Sequence, residues 1–271
     1  MTLLFFCPRW GSESLGIADF CAKAKAAGYD GVELALPFGD QGGTEAILAA
    51  IHDNSLEFIG QHWATSQRDI EAHAEEFRRQ LEWLADAKPL FINSQTGKDW
   101  FPAGWSERLI AIAGEVSKRR GLRIVHETHR GKFAYSAAVT RGFLERDPEL
   151  RLSVDLSHWC VVSESLLADQ EESLALAISR AEHIHARVGF EEGPQVADPR
   201  APEAARALEA HLGWWDRIVE LHRAQGKEAL TITPEFGPAP YMPLLPWTAQ
   251  PVSDQWGINV YMMELLRKRW S

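Results

Sequence analysis

Eight times along the chain a short apolar run is followed by a stretch whose apolar residues return at helical spacing, and this alternation narrows the choice of fold more than any other property of the sequence. The runs Leu3–Phe6, Gly31–Leu36, Glu57–His62, Leu90–Ser94, Leu122–Glu127, Arg151–Asp155, His183–Val188 and Ala229–Pro234 read as strands. Between and after them, Ser14–Ala27, a segment capped by Thr44 and ending near Asn54, Asp69–Ala87, Ser106–Arg120, Ser136–Arg146, Gln170–Arg180, Pro202–Gln225 and Val252–Lys268 read as helices. Strand followed by helix requires parallel neighbours joined by right-handed crossovers. Eight such units suit a single α/β domain over residues 1–271, a closed (β/α)8 TIM barrel. A doubly wound open sheet fits less well, because CPRWGSES after the first strand lacks the G-x-G-x-x-G turn.

Charge and cysteine content then exclude several functions. With 38 acidic against 28 basic residues the net charge is -10, which disfavours a duplex-binding surface, since phosphate neutralisation needs clustered Lys and Arg. No nucleic-acid partner is expected, and a neutral or modestly polar small molecule suits the chain better. Cys7, Cys21 and Cys160 are odd in number and show no C-x-x-C spacing, so neither a disulfide framework nor a thiolate zinc site is expected. The start, MTLLFFCPRW, has no basic lead and no long apolar run, and no stretch approaches the roughly 20 apolar residues that span a bilayer. A cytoplasmic protein without membrane contact is the expectation. Its oligomeric state stays open, a homo-oligomer included.

Four of the strands turn polar at their carboxyl ends, where reacting groups sit in a barrel. LRIVHETHR ends with Glu127 and His129, RLSVDLSHW places Asp155 and His158, HIHARVG places His185 and Arg187, and LTITPEFGP places Glu235. Side chains alternate along a strand, so Ile184, Ala186 and Val188 share one face while His185 and Arg187 share the other, and Thr231, Thr233 and Glu235 align likewise. Buried carboxylates need pairing or a metal, and three acids with one imidazole converging on a cation satisfy that need. Taken singly, each residue has a simpler role: Glu127 or Asp155 in a structural salt bridge with Arg130 or Arg187, and His185 as a hydrogen-bonded core histidine. Four on successive strands favour the shared ion. HETH is not H-E-x-x-H, so a zincin helix is excluded.

The order Glu127, Asp155, His185, Glu235, with D-x-x-H at Asp155 and His158 and with YDGVELAL near the start, resembles the xylose isomerase-like TIM-barrel superfamily, in particular its sugar phosphate isomerase/epimerase branch. The resemblance spans nearly the whole chain. It implies that Glu127, Asp155, His185 and Glu235 are metal ligands, that Glu127 and Glu235 are also the acid/base residues, and that His158 binds a substrate oxygen. Arg187 follows the histidine by two residues, closer than the arginine of the epimerases. Glu33, which ends the second strand, is expected either to hydrogen-bond a ligand or the substrate or to be a buried charge partner, and His62, His129 and Trp10 are further candidates for contact with substrate; Trp63 and Trp159 also follow strands and suit stacking on a sugar ring. His126 has the opposite parity to Glu127 and is expected to face the helices, while His52 and His73 read as surface residues. The long connections Gly189–Arg200 and Phe236–Pro251 leave strands at this face, and the second, with Tyr241, Met242 and Trp247, is placed to wall the pocket.

An imidazole with three carboxylates suits Mn²⁺ or Mg²⁺, with Zn²⁺ and Co²⁺ compatible. Such an ion polarises a carbonyl and its neighbouring hydroxyl, so the expected reaction is isomerisation or epimerisation of a sugar or keto-polyol through an enediolate. Loss of a β-hydroxyl from the same species is the alternative, making the protein a dehydratase or lyase on a keto-sugar or inosose. An endonuclease IV-like DNA repair enzyme and a non-catalytic sugar-binding barrel rank below these. The fourth strand ends in Asn93, Ser94 and Gln95, without the extra histidines that a zinc-cluster nuclease requires. No glycine-rich phosphate cradle follows the seventh or eighth strand, which leans toward an unphosphorylated substrate.

Overall fold

Thr2 to Phe5 pair in parallel with Ala229 to Ile232, so the last strand returns to the first and the sheet has no edge. The computed structural model describes all 271 residues. Its strands β1 (Thr2–Pro8), β2 (Gly31–Leu34), β3 (Glu57–His62), β4 (Ile92–Ser94), β5 (Ile124–Glu127), β6 (Leu152–Val154), β7 (Ala181–His185) and β8 (Ala229–Thr233) form a closed barrel in sequence order. Helices α1 (Ile17–Ala26), α2 (Gln41–Asp53), α3 (Ile70–Asp86), α4 (Ala103–Arg120), α5 (Ala137–Arg146), α6 (Ser157–Ser163), α7 (Glu171–Ser179), α8 (Ala205–Ala224) and α9 (Gln255–Arg269) complete the (β/α)8 architecture.

Several boundaries differ from the sequence reading for local reasons. The cap of α2 is Asp40, whose carboxylate accepts from the Gly43 amide, and Thr44 is buried inside the first turn. β7 stops at His185 rather than Val188. Helix α6 is absent from the periodic pattern: it is only two turns long and follows Asp155 almost directly. Its closeness to the β7 exit explains Gly189, where a Cβ would lie 2.7 Å from Ser157.

Strand alternation divides the apolar residues into two cores. Phe5, Cys7, Val32, Phe58, Ile92, Leu152, Ile184 and Ile232 point outward and pack under the helices. Phe6, Ile59, Phe91 and Val125 point inward and plug the amino-terminal half of the barrel. Gly31, paired with Phe6, makes room for this plug, because a Cβ there would meet the Phe6 ring at 2.3 Å. The apolar plug leaves the carboxyl-terminal half of the interior to polar side chains. No helix is long and apolar enough to cross a membrane.

Candidate active site

Directly above the plug lies a closed hydrogen-bonded layer. Glu33, from β2, accepts from the Asn93 amide at 2.9 Å and lies 3.0 Å from His185 Nε2 through the same oxygen, Oε1. Its Oε2 accepts from the Thr233 hydroxyl and lies 3.2 Å from His183 Nε2, while His183 Nδ1 sits 3.0 Å from the Thr231 carbonyl. Burial would raise the Glu33 carboxyl, but His185 and His183 outweigh it and hold the group well below the usual range. Glu33 is thus a buried charge partner beneath the pocket that hydrogen-bonds the candidate ligand His185, and it does not line the cavity.

The next layer gathers the four residues from successive strand ends. One ligand atom from each of Glu127, Asp155, His185 and Glu235 lies within 4.8 Å of all the others, and all four residues are buried. His185 carries the observation that tests whether a cation suits them. Its Nε2 is engaged by Glu33, whereas its Nδ1 makes no hydrogen bond, being 2.9 Å from Glu235 Oε2 but poorly aligned and 3.8 Å from Glu127 Oε1. A buried imidazole nitrogen without a partner, facing carboxylate oxygens, is the donor set of a hard divalent ion. The cluster therefore fits a metal.

Electrostatics point the same way. Burial, reinforced by the charges of Glu235, Asp155 and Glu33, pushes the Glu127 carboxyl up despite His185. Burial also raises Asp155, although Arg187 acts against it. At Glu235 burial is outweighed by His185 and Arg187, and the group is lowered. Burial alone would depress His185, but Glu235, Glu33 and Glu127 reverse that and hold its imidazole well above the ordinary value. Crowded carboxylates that raise one another are relieved by a bound cation.

Arg187 is fully buried within this layer. It binds Asp155 Oδ2, donates to His158 Nε2 at 2.7 Å, and lies under the rings of Tyr241 and Trp10 at 4.9 and 5.7 Å. The structural salt bridge weighed for Asp155 is therefore present beside the ligand geometry. His158, as an acceptor from Arg187, is held well below its ordinary value by burial and by the neighbouring His129 and Arg187. Its ring packs against that of His129, with centroids 3.9 Å apart and planes tilted by 48°.

Over these groups opens a cavity of ≈ 470 Å³, with Trp10, Trp63, Tyr241, His129 and Arg187 among its walls. Of the residues singled out in the sequence, Trp10, His129 and Arg187 line this cavity and His62 does not. It turns away from the barrel axis, bonds Ser94 and Thr65 and packs edge-on against Phe77 of α3, and the neighbouring Gln61 takes the inward place. His158 lies behind the wall, and Trp159 is buried with its indole N–H on the Ala134 carbonyl. His126 bonds the Thr96 hydroxyl and packs on Phe133. His73, expected at the surface, is buried against Phe101 with Nδ1 on the Gln67 carbonyl. Of the β8–α9 loop, Tyr241 walls the pocket and Met242 is buried, whereas Trp247 is fully exposed, away from it. The two long loops are joined by Gln195, which accepts from the Gly237 amide at 2.7 Å and donates to its carbonyl at 3.2 Å.

Sequence reasoning missed Gln61 and Gln95, which donate to Glu235 and Glu127 at the cavity floor. Strand parity was the available signal: each lies an even step from the inward-facing Ile59 or Asn93.

Comparison with protein-family models and with curated protein sequences finds no match. Among solved structures the chain is similar to a probable 3-DHS dehydratase from Bacillus anthracis (18% identity, 99% of this chain and 100% of that one, TM-score 0.62). It is also similar to a D-allulose 3-epimerase from Methylomonas sp. (16%, 98% and 97%, 0.65) and to an endonuclease IV from Thermus thermophilus (13%, 98% and 97%, 0.57). Identities at this level carry the architecture and not the activity. The chain shares the (β/α)8 barrel fold of these structures, and likewise that of a xylose isomerase domain containing protein from Salmonella typhimurium (14%, 98% and 96%, 0.63).

Proposed function

We propose that the protein is a divalent-metal-dependent enzyme that isomerises or epimerises a sugar or keto-polyol, with Glu127, Asp155, His185 and Glu235 as ligands. The observation that carries this reading is the meeting of four ligand atoms within 4.8 Å beneath an open, tryptophan-walled cavity. Mn²⁺ or Mg²⁺ suits the oxygen-rich set and, when bound, supplies Lewis-acid polarisation of a carbonyl and its neighbouring hydroxyl.

The chain supplies the rest. Trp10, Trp63 and Tyr241 offer flat faces to the carbon skeleton, and Gln61, Gln95 and His129 offer polar groups to its hydroxyls. A glutamate of the set, Glu127 or Glu235, takes the proton from the carbon beside the carbonyl, giving an enediolate, and gives one back to complete the isomer or epimer. Arg187 sits beside Asp155 and Glu235 and adds positive charge where the enediolate oxygens develop.

Dehydration of a keto-sugar or inosose uses the same first step and is the second reading, supported by likeness to the dehydratase fold. A nuclease has less support: β3 and β4 present Gln61, Asn93 and Gln95 to the site, where extra metal-binding imidazoles would be required. The test is Mn²⁺-dependent exchange of substrate C–H with solvent deuterium across a panel of ketoses and keto-inositols. Exchange in at least one compound, lost on chelation, is the expected result; a folded, metal-free protein with no exchange anywhere overturns it.

A further inference from the structure

The two glutamates proposed as acid and base are not equivalent in their access to the cavity. Glu235 lines it; Glu127, Asp155 and His185 do not. The carboxylate of Glu235 is divided between two surroundings: Oε2 faces His185 and Arg187, while Oε1 accepts from Gln61, itself a cavity residue, at 3.2 Å. One oxygen thus serves the ligand cluster and the other the pocket.

Glu127 has no such free side. The Gln95 amide spans both its oxygens at 3.2 and 3.3 Å, and Asn93 donates to Oε2 at 3.2 Å. Its side chain is 0% exposed against 5% for Glu235. Gln95 itself lines the cavity, so the side chain that occupies both oxygens of Glu127 is the one presented at the cavity wall. The other acid at the cavity, Glu13, is exposed at the rim and accepts from the Gly11 amide.

We infer that Glu235 is the single carboxylate of the ligand cluster that reaches a bound substrate, that Gln95 keeps Glu127 out of reach, and that proton transfer takes place on one face of the substrate. This deepens the proposed function and rests on it for the chemistry. Glu235 removes the proton from the carbon beside the carbonyl; the C–H pair forms the new C=C bond and the carbonyl π pair moves to oxygen. Return of that proton to the former carbonyl carbon, with the neighbouring hydroxyl proton passing to the other oxygen, gives the positional isomer. Every atom is conserved and no co-reactant is needed. Inversion at one carbon requires a second group on the opposite face, and the residue that would provide it, Glu127, is covered. The reaction class favoured is therefore aldose–ketose isomerisation over epimerisation.

The test is alkylation of cavity carboxylates with glycidol, whose epoxide a carboxylate opens to an ester, read by peptide mass spectrometry on the full-length protein. Metal-free and Mn²⁺-loaded samples are compared. At least tenfold more ester on Glu235 than on Glu127 is expected in both, and Gln95→Ala, at a half-exposed position, is expected to bring Glu127 within threefold of Glu235. Equal labelling in the wild type, or labelling of neither, overturns the inference. Failure to bind Mn²⁺ counts against the proposed function instead and leaves the metal-free labelling to decide which glutamate is presented.

Discussion

Glu33 Oε1 lies 3.0 Å from His185 Nε2, at the buried centre of the barrel, and this contact leaves Nδ1 as the nitrogen that faces Glu235 and Glu127. A carboxylate behind a ligating imidazole fixes which ring nitrogen is free to bind a cation. Glu33→Gln is expected to weaken Mn²⁺ binding by about 10- to 100-fold, the range for lost partners behind a metal ligand. Calorimetric titration measures it, with circular dichroism as the fold control; unchanged affinity would remove Glu33 from that role.

Arg187 yields a prediction about stability. It is 1% exposed and is bonded to Asp155 and His158. Replacing one partner of a buried ion pair leaves the other charge without compensation, at a cost of about 3–5 kcal/mol. Arg187→Met should lower the urea midpoint accordingly, and Mn²⁺ should restore part of the loss by neutralising Asp155. Arg187→Lys should not rescue it, because an ammonium cannot reach Asp155, His158 and Ser157 together.

Stability should also depend on pH through His211. Its Nδ1 donates to the Ala207 carbonyl at 2.8 Å and its Nε2 accepts from the Gly189 amide at 3.3 Å, so the neutral ring is the one that fits. Burial lowers it from 6.5 to about 4. The unfolded chain therefore takes up the proton first, and stability present above pH 6.5 falls as pH drops toward 4. The shift corresponds to about 3 kcal/mol for full protonation. Urea midpoints at pH 7 and pH 5 measure the slope, and His211→Gln should reduce it; His62 and His126, also lowered by burial, retain the remainder.

The barrel was legible in the sequence because each strand–helix unit carries its own periodicity, independent of the others. The site was legible where parity applied: His185, Arg187 and Glu235 fall on the inward face because each lies an even step from His183 or Thr231. Residue type misled where parity would not have done. His62 is a candidate from its place at the end of the third strand, whereas Ile59, facing inward, makes Gln61 its even-step companion. His73 read as a surface residue from its polar type, although it lies four residues before the buried Phe77 on the stripe of α3 that continues through Leu81 and Leu84, and Phe101 from the loop before α4 packs on it. Asp155–Arg187 pairing was one alternative among several, since sequence spacing does not give the distance between neighbouring strand ends.

Trp63 separates recognition from folding. It is 55% exposed and lines the cavity, so Trp63→Ala should leave the thermal midpoint nearly unchanged. With any sugar that shows deuterium exchange, KM should rise about 10-fold with little change in kcat, at the upper end of the roughly 0.5–1.5 kcal/mol typical of a stacked aromatic ring. Unchanged KM would mean that the substrate binds elsewhere in the cavity.

Glu127, Asp155, His185 and Glu235 together holding one divalent cation is the claim on which the chemistry depends. Titration of metal-free protein with Mn²⁺ in a calorimeter, repeated on His185→Ala, tests it most directly. One Mn²⁺ per chain is expected in the wild type, and binding at least 100-fold weaker in the variant. Folded wild-type protein that takes up no stoichiometric Mn²⁺, or a variant that binds it equally well, would contradict the shared-cation site.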